Sequence, residues 1–458
     1  MPHDRAQRRP GTIHIWDPLA AWPSARRWMW AALAVLVSLT QGPGFVRSLT
    51  PAAGESVDFF QEWASARNFL DGAPIYTDLE VSAARYLGRR SQPGEGVMVS
   101  KNAHPPASVL LAVPFGLLDY PRATLIWNLL SLAAFAVSLV LLARDLGLRP
   151  PPWAILPAIT LLLICNPFRQ QVNQGQFNLL LLLLMTGVWT AERSGRPALA
   201  GTLLGAATAF KLFPGFFFLY FLLRRRWTVV ASGLAAIAML SLVSVAVLGQ
   251  ETYDSYLREV FPAMSTYRNW WSNASLAGFW VKWFDSGAVS TIVDPRLPSY
   301  LEPLAVRPAV ALAGFVLSSG AVLISWAKAV FGARSQSQRD LAFGLTLTTM
   351  LVLSPIAWDH YFLLLLLPIA QLWIALATRP GGRLVLSMLL VGIWINPVDF
   401  WVAVMPRAHA APGTAAVILS LAVVSFQCFA LLGLFLSGLR LLNRDAPVLQ
   451  PADWCDVP

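Results

Sequence analysis

Apolar stretches recur from Trp28 towards the C-terminal end, each closed by a short polar or basic turn. A hydrocarbon layer of about 30 Å needs roughly 20 apolar helical residues to cross it. Alternating ten-residue strand patterns are absent, so the chain reads as a helical bundle rather than a barrel. Spans are expected near 28–48, 123–143, 152–165, 177–191, 197–210, 212–223, 227–248, 308–331, 340–357, 361–378, 384–404 and 413–438, twelve in all.

Two stretches depart from that pattern. Residues 106–118 are apolar but short and contain Pro114, which predicts an embedded helix that does not span. The competing reading makes 106–118 a full span and fuses 197–223 into one, leaving Lys211 deep in hydrocarbon. From Val57 to Leu70, Phe59, Phe60, Trp63 and Leu70 recur at near-helical spacing beside Gln61, Glu62 and Arg67, as in a helix lying in the membrane interface. GAPIYTD, residues 72–78, closes it with turn residues.

Charge gives the pattern a direction. Arg144/Arg149, Arg193/Arg196, Arg224 to Arg226, Arg334/Arg339, Arg379/Arg383 and Arg440/Arg444 each follow an apolar segment and are expected in the cytoplasm. Arg5, Arg8, Arg9, Arg26 and Arg27 precede an apolar run with no convincing cleavage site, which predicts an uncleaved first span. The chain is thus expected to be a single transmembrane domain over 1–458. It would have cytoplasmic tails at 1–27 and 439–458 and long exoplasmic loops at 49–122 and 249–307.

Composition agrees with a membrane solvent: 56% of the 458 residues are hydrophobic and only 13% charged, against about 25% in a soluble domain. The net charge of +10 punctuates the turns instead of forming a basic stripe, which argues against nucleic acid. Cys165 and Cys428 lie in apolar runs and Cys455 near the C-terminus, so no disulfide framework is implied.

Several polar clusters could carry chemistry, and each has a purely structural alternative. Asp58 opens the interfacial helix and suits a general base for a hydroxyl acceptor, but Asp58 with Gln61 also fits a helix cap. Lys101 and His104 in KNAHPP suit phosphate, or simply the headgroup layer. NPFRQQVNQGQFN, residues 166–178, offers the amides of Asn173, Gln174, Gln176 and Asn178 to sugar hydroxyls, or serves as interhelical glue. Lys211, in ATAFKLFPGFFF, would face a lipid phosphate or snorkel to headgroups. In SPIAWDHYF, Asp359 and His360 lie between Trp358 and Tyr361, a phosphate-facing pair or an interface anchor. RNWWSNAS, residues 268–275, puts Asn273 in a mixture suited to carbohydrate or to an aromatic belt. There is no phosphate-binding glycine loop, HExxH, zinc spacing or DxD, which disfavours a nucleotide-sugar donor with a carboxylate-held metal.

Taken in order, these segments resemble the membrane-embedded GT-C glycosyltransferases, specifically glycosyltransferase family 87, the polyprenyl-phosphate-mannose-dependent mannosyltransferase-like proteins. The likeness runs from DFFQEWASARNFLDGAPIY through HPPASVLLAVPFGLL, NQGQFNLLLLLL, AGTLLGAATAFKLFPGFFFLYFLLRRRW and NASLAGFW to SPIAWDHYFLLLLLP. No motif covers the region after about residue 380. The resemblance implies a GT-C-type bundle in the bacterial plasma membrane, with exoplasmic interfacial helices and its active site on the outer face. A polyprenyl-phosphate sugar, such as mannose, would be the donor and an exoplasmic glycolipid or glycan the acceptor.

By that resemblance the family's first-loop aspartate falls on Asp58, its later histidine on His360, and Lys211 in its G-x-A-x-x-x-K-x-x-P segment. The mechanism expected is inverting transfer with Asp58 as base. Lys211 and His360, with Lys101 or His104, would meet the phosphate, while Asn173, Gln176, Asn178, Asn273, Asp359 and Trp358 would meet sugar or acceptor. No cofactor or metal is expected. A lipid or sugar transporter, or flippase, is the main alternative, although the matching halves it calls for are not visible. A non-catalytic subunit of cell-envelope assembly is another.

Overall fold

The computed structural model describes residues 24–52, 54–88, 101–285, 303–377, 379–404 and 413–443. Parts of both expected tails and of both long loops lie outside them, including 1–23, 89–100, 286–302 and 444–458. The described residues are helical and contain no strand.

The principal helices are α1 (Ser24–Arg47), α2 (Phe59–Leu70), α3 (Leu79–Leu87), α4 (Pro106–Gly116), α5 (Tyr120–Asp145), α6 (Ile155–Ile164), α7 (Asn166–Gln174), α8 (Asn178–Arg193) and α9 (Pro197–Phe210). They continue as α10 (Phe216–Leu223), α11 (Trp227–Leu248), α12 (Leu276–Phe284), α13 (Pro308–Gly332), α14 (Gln336–Leu353), α15 (Leu366–Ala375), α16 (Pro380–Trp394), α17 (Pro397–Val404) and α18 (Thr414–Leu442).

Five of them, α1, α5, α11, α13 and α18, are long and apolar enough to cross a membrane, which makes this an integral membrane protein. The other seven expected spans fall on shorter helices or on helices joined through a break. Helices α6 and α7 meet at a 65° bend at Cys165–Asn166. The pair α9 and α10 is interrupted at Lys211–Pro214, a 3-10 stretch over Asp359–Leu365 leads into α15, and Asn396–Pro397 divides α16 from α17. Proline follows or flanks each of these breaks, where it removes a helical donor.

Side-chain contacts gather the basic turns at one end of the bundle. Arg226 pairs with Glu192 at 2.7 Å, Arg193 with Asp340, and Arg193 Nη2 also donates to the Asp145 carbonyl at 3.1 Å. Arg224 donates to the carbonyls of Val330 and Ala333. The ends of α5, α8, α10 and α13 therefore meet the starts of α11 and α14. Asp340 is buried while Arg193 is partly exposed, so removing Arg193 would leave a buried carboxylate short of its cation and destabilise this end of the bundle.

At the opposite end α4 is the short helix expected within 106–118: Gly116, at its C-terminal end, packs on Ala66 and Leu70 of α2, while Asn102, just before its start, bonds the Gln61 carbonyl and Ser65 of the same helix. The expectation that needs adjustment is the interfacial helix, because α2 does not lay its aromatics on lipid. Phe59 stacks on Trp127 at 5.2 Å, and Phe60 and Trp63 pack around Tyr120, so α2 is walled in by α4 and α5 and buries Glu62, Ser65 and Asn68 as well. An amphipathic pattern reports a two-faced helix; here protein covers both faces.

Helices α9 and α11 run parallel and in close contact, because Gly201 and Gly205 remove the side chains between them. A Cβ at Gly205 would collide with the Gly233 carbonyl and Ala236. Since α9 carries Lys211 at its C-terminal end, Gly205→Leu is expected to cost about 1–3 kcal/mol through overpacking and to displace Lys211. The melting temperature in detergent would fall with transfer activity; an unchanged melting temperature would show that the interface can yield.

Candidate active site

At the end opposite the basic turns lies a cavity of about 1170 Å³. Four elements deliver its polar groups: Asp58 at the start of α2, Gln174 and Gln176 from the turn after α7, Lys211 from the α9–α10 break, and Trp358, Asp359 and His360 from the stretch before α15. His104, from the loop before α4, completes the set.

Asp58 does not act as a side-chain cap for α2, and Gln61 spends its Oε1 on the Ala103 backbone N–H, so the capping alternative fails. The Asp58 carboxylate instead accepts from Gln176 Nε2 at 2.5 Å, and the Asp58 backbone N–H donates to Gln174 Oε1 at 3.2 Å. Gln176 Oε1 in turn accepts from Lys211 Nζ at 3.1 Å. The Lys211 ammonium lies 4.4 Å from the centre of the Tyr361 ring, a cation–π contact that offsets part of its burial.

Across the cavity Asp359 has both oxygens engaged. Oδ2 accepts from Asn166 at 2.6 Å, and Oδ1 accepts from the His360 backbone N–H at 2.7 Å with His360 Nδ1 3.3 Å away. His360 Nε2 is buried and has no partner among the described residues. Trp358 packs edge-on against Trp270.

The turn that presents Gln176 is fixed on three sides. Gly175 adopts φ +63°, and a Cβ there would lie 2.8 Å from Phe59, so both backbone twist and space call for glycine. The Gly175 carbonyl accepts from Trp127 Nε1 at 2.7 Å, and buried Gln171 donates to the Gln176 carbonyl.

Four candidates fall outside the cavity. Lys101 pairs with Glu259, an ion pair that ties its loop to the segment after α11 and engages the ammonium. Asn173 is exposed on the far side of α7. Asn178 is buried and donates to Gln171 Oε1, making it the interhelical glue of the alternative reading. Asn273 is buried too. It donates to the carbonyls of Arg268 and Pro355 and accepts from the N–H groups of Ser275 and Ala357, fastening the second long loop to the Trp358–His360 segment.

Two participants were not anticipated. Lys282 is buried on α12 and donates to the carbonyls of Trp271, Asn273 and Val424, clamping the same loop to α18. Its signal was a lone base inside FWVKWF. Glu62 lies one turn beyond Asp58, 2% exposed, with Oε1 against His104 Nδ1. Its signal was a carboxylate on the Asp58 face of a helix otherwise crowded with aromatics. Burial pushes Glu62 well above the usual carboxylate range, with neighbouring Lys211 pulling the other way; burial and Lys211 together push His104 well below the usual imidazole range. Both directions favour a pair with no net charge.

The bundle thus brings carboxylates, a lysine amine and imidazoles together in one cavity of an integral membrane protein. The profile of glycosyltransferase family 87 matches residues 102–355, more than half of the chain. The chain belongs to that family and is a glycosyltransferase. It is 25% identical over 448 residues to the polyprenol-phosphate-mannose-dependent alpha-(1-2)-phosphatidylinositol mannoside mannosyltransferase of Mycobacterium tuberculosis (strain ATCC 25618 / H37Rv), covering 92% of this chain and 93% of that protein. It is 26% identical over 309 residues to a polyprenol-phosphate-mannose-dependent alpha-(1-2)-phosphatidylinositol pentamannoside mannosyltransferase of Mycolicibacterium smegmatis (strain ATCC 700084 / mc(2)155), covering 64% of this chain and 67% of that one. No solved structure matches.

The Glu62–His104 pair generates a pH prediction. With its pKa raised in the fold, Glu62 contributes stability that is fully present below about 4.5 and lost as pH rises through the raised value. His104, lowered, acts in the opposite sense, its contribution being lost as pH falls below about 6.5 and through its folded value. Glu62→Gln keeps a hydrogen bond but cannot ionise, so subtracting its melting temperatures from those of wild type should expose a fall with rising pH. A difference flat from pH about 5 to 9 would contradict an acid that is neutral at low pH and forced to ionise in a buried site. Glu62→Ala, which leaves His104 Nδ1 unpaired, should cost about 1–3 kcal/mol.

Proposed function

We propose that this glycosyltransferase moves mannose from a polyprenyl-phosphate donor to a glycolipid of the phosphatidylinositol mannoside type, with inversion. Reaction would take place at the exoplasmic face of a bacterial plasma membrane. The donor and acceptor classes follow the activities of the relatives, one of which is similar over nearly the whole chain. The sidedness rests on the basic turns, which collect at the end away from the cavity.

The observation that carries the mechanism is that Asp58, Lys211 and His360, from three separate parts of the chain, line one cavity. Asp58 is the base: it takes the proton of the acceptor hydroxyl as that oxygen bonds to the anomeric carbon, and the bond from that carbon to the phosphate oxygen breaks. The electron pair leaves on polyprenyl phosphate. Lys211 and His360, through its partnerless Nε2, meet the charge that grows on the phosphate.

Inversion is part of the proposal. It is supported by Asp359, whose two oxygens already accept hydrogen bonds from Asn166 and from the His360 backbone N–H, which favours a single in-line displacement over one that uses Asp359 as nucleophile. His104 then lines the cavity as Glu62's partner, apart from the phosphate contact.

Purified protein given radiolabelled polyprenyl-phosphate mannose and a phosphatidylinositol mannoside acceptor tests this directly. Asp58→Asn should lower kcat by about 10²–10⁴-fold with little change in donor KM. Lys211→Met and His360→Ala should lower kcat by about 10²–10³-fold. Wild-type rates in Asp58→Asn would remove Asp58 from the reaction, and transfer from a nucleotide sugar would replace the donor.

A further inference from the structure

We infer that Gln176 is a positioning residue whose side-chain amide stands between Asp58 and Lys211 and keeps the two from closing into a direct ion pair. The inference rests on the reading of Asp58 as base and Lys211 as phosphate ligand, and it takes Gln176 out of the set of sugar-binding amides.

The orientation of the amide is fixed by its partners. A carboxylate only accepts and an ammonium only donates, so Nε2 must face Asp58 and Oε1 must face Lys211, as they do at 2.5 and 3.1 Å. Among the described residues no ion pair joins Asp58 to Lys211, although both line one cavity and each bonds the same side-chain amide. In a site of low polarity such charges attract strongly, and a direct pair would be the default outcome. Its formation would engage the carboxylate that must accept a proton and the ammonium that must meet a phosphate.

The amide is held against that attraction by a rigid support. The Gly175 twist, the Trp127 bond to the Gly175 carbonyl and the Gln171 bond to the Gln176 carbonyl fix the backbone. Gln171 is itself held by Asn178. Within the polar run Asn166–Asn178, Gln171, Gly175 and Asn178 are therefore the mount of the Gln176 amide.

Charged groups around Asp58 are Glu62 on its own helix, Glu80 on α3, His104 before α4, Lys211 after α9, and Asp359 with His360 before α15. The phenols of Tyr267 and Tyr361 also feel its charge. Lys211 is the one cation among these held to Asp58 through a single intervening side chain.

The test is the pH profile of kcat for the full-length protein in detergent or nanodiscs, with polyprenyl-phosphate mannose and a phosphatidylinositol mannoside. Gln176→Ala should lower kcat about 10–100-fold and move the acid limb down by about one pH unit, because Lys211 closes on Asp58 and holds it ionised. The nearly isosteric Gln176→Glu should move the acid limb upward, since a second carboxylate then abuts Asp58. In a Lys211→Met background, Gln176→Ala should no longer shift the limb. Acid limbs unmoved in both Gln176 variants, or the same shift with and without Lys211, would overturn the inference. If Gln176→Ala does not fold, the opposite-signed shift in Gln176→Glu still decides. Failure of the underlying reading looks different: Asp58→Asn would then retain both activity and the acid limb.

Discussion

Inside a hydrocarbon layer every backbone N–H and C=O needs a partner from the protein, and a helix that stops partway across leaves several of each unmet. This chain interrupts its helices at Cys165–Asn166, Lys211–Pro214, Asp359–Leu365 and Asn396–Pro397. Lys211, Asp359, His360 and Asn396 all line the same cavity. Asn166 bonds Asp359 and so joins two of the breaks, and Asn273 holds the Pro355 and Ala357 backbone just before the chemistry-bearing residues Trp358–His360. What makes the broken helices possible also makes a polar chamber within an apolar protein.

The same constraint explains the division of labour among the polar residues. Those that present chemistry are few, and each rests on others that do not. Asp58 and Lys211 share Gln176; Gln176 rests on Gly175, Trp127 and Gln171; Gln171 rests on Asn178. At the opposite end the Arg193–Asp340 pair, Trp189 and Gln336 form a separate network that joins α8 to α14 and carries no part of the cavity. The bundle is thus fixed at its basic end, while its other end supplies short, re-entrant pieces whose tips can be placed individually.

Much of this was legible in the sequence, for reasons that can be named. Helical class follows from apolar runs, and the basic turns that close them meet at one end of the bundle. Asp58, His360 and Lys211 stood out because a charged group beside long apolar runs has few innocent explanations, and all three line one cavity. The breaks within the expected spans were not read because hydropathy sees composition and not where a helix stops. Gln176, Asn173 and Asn178 looked alike in NPFRQQVNQGQFN, since only the fold decides that one amide enters the cavity, another faces outward and the third holds Gln171. Glu62 was hidden by its own pattern: a carboxylate among aromatics reads as the wet face of a surface helix, and its partner His104 lies 42 residues away.

The central claim is that the cavity beside Asp58 is where a lipid-borne sugar phosphate reacts. The most direct test is a structure of the protein with a non-transferable polyprenyl phosphonate analogue of the mannose donor. The account predicts the phosphonate within hydrogen-bonding distance of Lys211 Nζ and His360 Nε2, with the sugar's anomeric carbon on the Asp58 side and the isoprenoid chain leading out between helices. A phosphonate bound at the basic end beside Arg193 and Arg224, or one seated in the cavity with its anomeric carbon turned away from Asp58, would contradict it.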